Sequence, residues 1–333
     1  MSKNIIFFTS TIKGGGAEKQ LYALFDILRK KVECRYYVAK KTNSIDNVES
    51  FVKKRTFYSF FKLVKVILKF KPKYLITTLP TPNLINVLIK KLNLFKFESV
   101  VRIANHNLDL KTTKFIIKNA DIVLFNSNEN KALYTKQFIN FQEKFYYVNN
   151  IISPSYSKSN KNNIPSEKTN ALVVSRLVTN KGIDLLINAM NELSQENISI
   201  DIYGVGPEFD YLNDLSKNKN VKFINEFSSI EDIWSKYNLF ILPSRKEGMS
   251  NSLLEAQYNN IFSIVSNCKT GNNEIIDLTN NGILFKTEDY KDLKLKILNY
   301  LNGQYESKKS KEIIGKNFSE KRAMSYISNI LSI

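Results

Sequence analysis

The stretch Ile5-Ile6-Phe7-Phe8-Thr9-Ser10-Thr11-Ile12-Lys13-Gly14-Gly15-Gly16-Ala17-Glu18 carries the fold in miniature. A short apolar run, Ile5–Phe8, reads as a strand. Three glycines then turn the chain, and helical spacing takes over through Ala17–Lys31. Glycine lets the backbone approach a ligand closely, and the start of a helix presents unpaired N–H groups and positive dipole to an anion such as phosphate. The turn matches neither G-x-G-x-x-G nor G-x-x-x-x-G-K-[ST], so neither a dinucleotide nor a P-loop fingerprint is met.

Outward from that point the alternation repeats. Apolar, β-branched or aromatic runs recur at Cys34–Ala39, Tyr74–Leu79, Ser99–Ala104, Asp121–Asn126 and Phe145–Val148, with helical stretches between them. A break rich in Ser, Asn, Lys and Pro follows, from Ser153-Pro154-Ser155 through Pro165-Ser166-Glu167-Lys168. The pattern restarts at Ala171–Ser175, Ile198–Tyr203, Val221–Ile224, Leu239–Leu242, Ser263–Ser266 and Gly282–Phe285. Strands alternating with helices imply parallel sheets of βαβ units, and the break has a linker's composition. The expected organisation is α/β. An N-terminal Rossmann-like domain over 1–152 and a linker over 153–168 are followed by a second Rossmann-like domain over 169–315. A C-terminal helix over 316–333 is able to cross back to the first. Ligands of such sheets bind at the carboxyl ends of the strands.

The chain has 333 residues, enough for two cores at ~150 residues per domain. Its 43% hydrophobic and 24% charged residues describe an ordinary globular protein. Two cysteines, Cys34 and Cys268, exclude a disulfide scaffold and suggest a reducing compartment, and the single histidine, His106, excludes a multi-histidine metal centre. The apolar start is too short for a signal-peptide core, and no run approaches the ~18 residues of a membrane span, so the expected compartment is the cytoplasm.

The net charge is +18, and it is lopsided. Residues 1–150 hold 27 Lys+Arg against 10 Asp+Glu, whereas residues 151–333 hold 22 against 21. Codon bias would load both halves. In the basic half, Phe57 to Phe70 places Lys62, Lys65 and Lys69 on one helical stripe among bulky apolar residues, preceded by Lys53, Lys54 and Arg55. Such a helix either lies in a membrane interface or packs in a core with its lysines in water.

Three further motifs belong to the second half. Ser175-Arg176-Leu177 with Asn180-Lys181-Gly182 places two cations beside a helix start, where they could clamp a diphosphate. Tyr203-Gly204-Val205-Gly206-Pro207 reads as a tight structural turn. Glu247-Gly248-Met249-Ser250-Asn251-Ser252-Leu253-Leu254-Glu255-Ala256 puts two glutamates eight positions apart, near one helical face, with a helix start between them. Two carboxylates so placed can accept hydrogen bonds from hydroxyls of an extended polar ligand, and the N–H groups of Gly248–Asn251 can meet an oxygen.

Taken in order, these motifs resemble the retaining glycosyltransferase family 4, of GT-B fold, in its bacterial surface-polysaccharide members, and the likeness covers nearly the whole chain. The resemblance implies two Rossmann-like domains facing across a cleft. It implies that Arg176, Lys181 and the turn Gly14-Gly15-Gly16 bind the donor diphosphate. Glu255 would hold the ribose, and Glu247, with Gly248, Met249, Ser250 and Asn251, the donor sugar. His106, in Ile103-Ala104-Asn105-His106-Asn107, would lie near the anomeric carbon, leaving His106 and Glu247 as the catalytic pair. The implied reaction is metal- and cofactor-free transfer from a nucleotide diphosphate sugar, UDP-linked in the commonest case. The acceptor would be a polyprenyl-diphosphate-linked glycan in O-antigen or capsule synthesis, and the enzyme would sit on the anionic inner face of the cell membrane. Two rivals are a nucleotide-sugar epimerase of the same fold and a nucleic-acid binder. The second leaves Arg176, Lys181 and Glu255 unexplained and has no recognition motif.

Overall fold

The computed structural model describes residues 3–12, 15–40, 47–51, 56–104, 110–152, 168–225, 233–268 and 270–333. It divides them into two units, Met1–Ile151 with Glu320–Ile333, and Ile152–Ser319. The expected linker lies outside the described residues apart from Lys168.

The first unit is built on β1 (Ile5–Thr9), β2 (Cys34–Val38), β3 (Val48–Ser50), β4 (Tyr74–Thr78), β5 (Glu98–Ile103), β6 (Ile122–Phe125) and β7 (Phe145–Tyr147). They pair in the order β3-β2-β1-β4-β5-β6-β7, and every pairing is parallel. All five residues of β1 are buried, as a central parallel strand covered on both faces requires. One face (Ile5, Phe7, Tyr74, Ile76, Val100, Leu124) packs under the helix Gly16–Leu28, the other (Ile6, Phe8, Leu75) under the helices Thr56–Phe70 and Pro80–Lys91. β3 escapes a sequence search because Val48-Glu49-Ser50 has no apolar run and lies at the sheet edge.

The last helix, Glu320–Leu331, belongs to this first unit. Ala323, Ile327 and Leu331, four residues apart on one face, are fully buried in the core beneath the helix Gly16–Leu28. Each such Ile or Leu contributes about 1.5–3 kcal/mol by leaving water. Tyr74 donates its hydroxyl to the Leu331 carbonyl at 2.5 Å, and Lys30 meets Glu320 at 3.4 Å.

The helix Thr56–Phe70 packs one face into the core and leaves the other exposed. It buries Ser59, Leu63, Ile67 and Phe70 toward the sheet. Tyr58, Phe61 and Leu68 are about half exposed on its outer face, together with Lys65 and Lys69. Leu88, Leu92 and Leu94, on or just after the neighbouring helix Pro80–Lys91, are also exposed. Lys53, Lys54 and Arg55 lie outside the described residues. No helix among the described residues is long and apolar enough to cross a membrane.

The second unit holds β8 (Thr169–Val174), β9 (Ile198–Tyr203), β10 (Val221–Ile224), β11 (Leu239–Leu242), β12 (Phe262–Ser266) and β13 (Gly282–Phe285). They pair in parallel in the order β10-β9-β8-β11-β12-β13. That is the doubly wound order of a Rossmann fold, in which the order of strand addition reverses between β8 and β11. With the boundaries drawn by the structure, the first unit has 29 Lys+Arg against 11 Asp+Glu, and the second 20 against 20. The whole charge excess therefore falls on one unit.

Candidate functional site

The switch point between β8 and β11 is where an open α/β sheet leaves a crevice, and the second unit's predicted cations and first glutamate converge there. β8 ends at Val174, and Ser175-Arg176-Leu177 runs over the edge of the sheet. The motif Tyr203–Pro207 now has a physical reason. Ser175 N–H donates to Tyr203 O and Leu177 N–H to Val205 O, each at 3.0 Å. A Cβ on Gly204 would sit 1.9 Å from the Ser175 carbonyl oxygen, and one on Gly206 2.2 Å from that of Leu177. Two bare glycines let this turn lie flat beneath the segment that presents Arg176, which is exposed and forms no ion pair among the described residues.

Beyond Leu177 a short turn, Thr179–Lys181, ends at Gly182, which has the left-handed φ of 62° before the helix Ile183–Asn191. A Cβ on Gly182 would stand 2.1 Å from the Pro243 carbonyl oxygen, so glycine is needed twice over, for conformation and for contact with the chain leaving β11.

The segment Pro243–Ser250 leaves β11 and reaches this turn. Lys181 Nζ forms a close ion pair with Glu247 Oε1, and the same oxygen accepts the Ser244 hydroxyl at 2.9 Å. Glu247 is 8% exposed and the Lys181 side chain 19%, so the pair is partly withdrawn from water. Arg245, which the sequence analysis passed over, fastens the two segments together. It forks onto Asp184 at 2.7 and 2.6 Å, reaches Glu288 at 2.8 Å and donates to Thr179 O at 2.7 Å. Its backbone N–H donates to Asn180 O at 2.9 Å. Hydrogen bonding to Asp184 first, and to Glu288, holds its guanidinium well above its ordinary pKa. A lone Arg in a loop gives no sequence signal for this role, because Asp184 and Glu288 are distant in the chain.

The helix of the Glu247–Glu255 stretch is Asn251–Tyr258, with Ser250 as its N-cap. Glu247 therefore precedes the helix, in an irregular segment, and only Glu255 is helical. Both carboxylates belong to one strand–helix connection, but the shared helical face expected from their spacing is not what holds them. Met249 turns its side chain into the core at 6% exposed, beside Leu253 and Leu254. Ser250 is engaged through both its N–H and its hydroxyl, which also meets the Ser252 hydroxyl at 3.0 Å. Its hydroxyl accepts from Leu253 N–H at 3.3 Å, and its own N–H donates to Asn272 Oδ1 at 2.9 Å. That withdraws the Ser250 N–H from the donors offered to a ligand.

In the first unit Gly15 is the N-cap of the helix Gly16–Leu28, and a Cβ there would come within 3.1 Å of the Glu18 carboxylate. Gly14 and His106 lie outside the described residues. Near the end of β5, in the strand that leads to His106, lies a buried cation that no local motif marks. Arg102 is 4% exposed and donates to Asn150 Oδ1 at 2.6 Å and to Ala17 O at 3.5 Å. Burial pulls its pKa down to about 10. It ties the strand leading to His106 to the start of the glycine-turn helix and to the end of the unit's last strand connection. No group of three or more His, Cys, Asp or Glu among the described residues could hold a metal. Asp201, in β9, accepts the Tyr237 hydroxyl at 2.6 Å.

Residues 156–320, almost all of them in the second unit, match the family model described as glycosyl transferases group 1. An uncharacterized glycosyltransferase of Methanocaldococcus jannaschii is 26% identical over 248 residues, 65% of this chain and 61% of that one. The capsular polysaccharide biosynthesis glycosyltransferase CapM of Staphylococcus aureus is 26% identical over 197 residues, 57% of this chain and 49% of its own. The chain thus spans about half to three-fifths of the length of these curated relatives. Among solved structures, Anabaena HepE in complex with UDP superposes with a TM-score of 0.80 at 17% identity, with 100% of both chains covered. Its likeness is one of fold, the GT-B class of paired Rossmann-like α/β domains.

Proposed function

We propose that the protein is a retaining glycosyltransferase that moves a sugar from a nucleotide diphosphate sugar, with UDP as the nucleotide, to a hydroxyl of a lipid-linked glycan during surface-polysaccharide assembly. The observation that carries this is the meeting of Lys181 and Glu247 at the β8/β11 switch point, beside Arg176. As the anomeric bond breaks, negative charge builds on the leaving diphosphate. Arg176 and Lys181 are cations at the edge where that charge would appear, and Lys181, held in place by Glu247, needs little reorganisation during reaction. Glu247, held by Ser244 and Lys181, is oriented to accept hydrogen bonds from sugar hydroxyls. In the retaining course, the acceptor oxygen attacks from the leaving-group face. The new glycosidic bond forms as the bond to phosphate breaks, and a phosphate oxygen takes the acceptor's proton. Such a route asks for neither a side-chain base nor a metal.

The acceptor side of the proposal rests on the first unit. Its charge excess and the exposed Tyr58, Phe61 and Leu68 among Lys65 and Lys69 suit an anionic membrane surface. The capsular role of the S. aureus relative points to the same class of product. Thermal shift against a panel of nucleotide sugars tests the donor: one nucleotide sugar should raise the melting temperature above the effect of its free sugar. No shift with any of them would sink the proposal.

A further inference from the structure

The connection after β12 clasps the donor segment. Asn267 and Cys268 lead to Thr270, and the helix Gly271–Thr279 begins. Gly271 N–H donates to Gly248 O at 2.8 Å, and Asn272 Oδ1 accepts from Ser250 N–H at 2.9 Å. Thr270 is 3% exposed and Asn272 fully buried. The other end of the Asn272 amide points back to Cys268 Sγ at 3.9 Å. Cys268 lies against Glu247: burial first, and then the Glu247 carboxylate, raise its thiol pKa, while a hydrogen bond with Thr270 opposes them. The chain from Gly248 to Ser250 is therefore pinned at one end by Gly271 and at the other by Asn272, with Met249 anchored between by its buried side chain.

We propose that Asn272 is a positioning residue for the donor sugar, acting through Ser250 to set the path of the Gly248–Asn251 backbone beside Glu247. The inference rests on the donor reading above. Ser250 opens the helix Asn251–Tyr258, so a shift of its N–H turns the first helical N–H groups and moves the segment that follows Glu247. The cations Arg176 and Lys181, read as the diphosphate ligands, come from the β8 side, and among the described residues neither is bonded to Asn272. Loss of Asn272 should therefore weaken binding of the sugar and leave binding of the diphosphate.

Titration calorimetry on the full chain separates these effects, with UDP and with whichever nucleotide sugar shifts the wild-type melting temperature most. Asn272→Leu keeps the volume and removes the acceptor. It should bind the nucleotide sugar about 10-fold more weakly, ~1.4 kcal/mol, with UDP affinity unchanged within about 3-fold. Asn272→Asp keeps an acceptor oxygen and should recover most of the sugar affinity. Hydrogen exchange over 248–253 should speed up in the Leu variant and not in the Asp variant. If the Leu variant fails to fold, Asn272→Ser, which leaves room for water, carries the same expectation. Variants that weaken UDP and the nucleotide sugar equally, or neither, overturn the inference. Wild-type protein that binds no nucleotide sugar overturns the donor reading instead.

Discussion

The Lys181–Glu247 pair can be taken apart in a way that separates its structural from its ligand-binding role. Lys181→Met preserves the stem and removes the charge. It leaves a carboxylate 8% exposed whose remaining partner among the described residues is the Ser244 hydroxyl at 2.9 Å. Stranding one member of a fully buried pair costs about 3–5 kcal/mol. The Lys181 side chain keeps 19% of its exposure, so water reaches the pair and the cost falls to about 1–3 kcal/mol. At about 2–4 °C per kcal/mol for a domain of this size, Lys181→Met should melt roughly 2–12 °C below wild type. Glu247→Gln removes the charge but still accepts from Ser244, so Lys181→Met/Glu247→Gln should melt within about 2 °C of Glu247→Gln alone. Calorimetric melting of the four proteins gives the coupling, and UDP titration gives the function. Lys181→Met should lose UDP affinity, whereas Glu247→Gln frees the ammonium and should bind UDP at least as tightly as wild type. Additive losses in the double variant, or UDP binding indifferent to Lys181, would refute the shared role of the lysine.

Glycine substitutions should divide sharply. Gly182→Ala and Gly204→Ala drive a Cβ to 2.1 and 1.9 Å from carbonyl oxygens and should each cost about 3 kcal/mol or more in denaturant unfolding. Gly303→Ala, at φ 71° with open space around it, should cost only the left-handed penalty of about 1–2 kcal/mol. The Cys34 thiol is pushed up to about 12 by burial first and by Glu33 second, so it stays protonated through the neutral range. In a Cys268→Ser background its alkylation should therefore show no inflection between pH 7 and about 10, and one near an ordinary thiol pKa would contradict this. Flotation of the protein with anionic vesicles at low salt should fall with Phe61→Ser and Leu68→Ser, and undiminished flotation of both would take the membrane face away from this helix.

Much of the fold was legible from strand–helix alternation because parallel sheets bury continuous apolar runs. Ile198–Tyr203, Val221–Ile224, Leu239–Leu242 and Gly282–Phe285 end where their sequences say they should. β3 was not legible, since Val48-Glu49-Ser50 owes its pairing to Tyr36, Tyr37 and Val38 and not to its own composition. The site divides along similar lines. Arg176, Lys181 and Glu247 could be singled out as candidates because each sits at a turn or just before a helix start whose local chemistry is visible in a few residues, and Glu255 by its spacing from Glu247.

What the chain could not show by itself is how its polar groups are spent. Ser250 looks like a donor to a ligand, yet its N–H is taken by Asn272, 22 residues away. Arg245 looks like surface charge, yet Asp184 and Glu288 make it the fastening between two loops. Arg102 sits in a strand, and only folding strips it of water. Local sequence determines which elements form and where their N–H groups and charges emerge. Hydrogen bonds and ion pairs between distant segments depend on which strand ends the sheet order brings together. Placing β11 beside β8 and β12 is what joins Lys181 to Glu247 and Asn272 to Ser250.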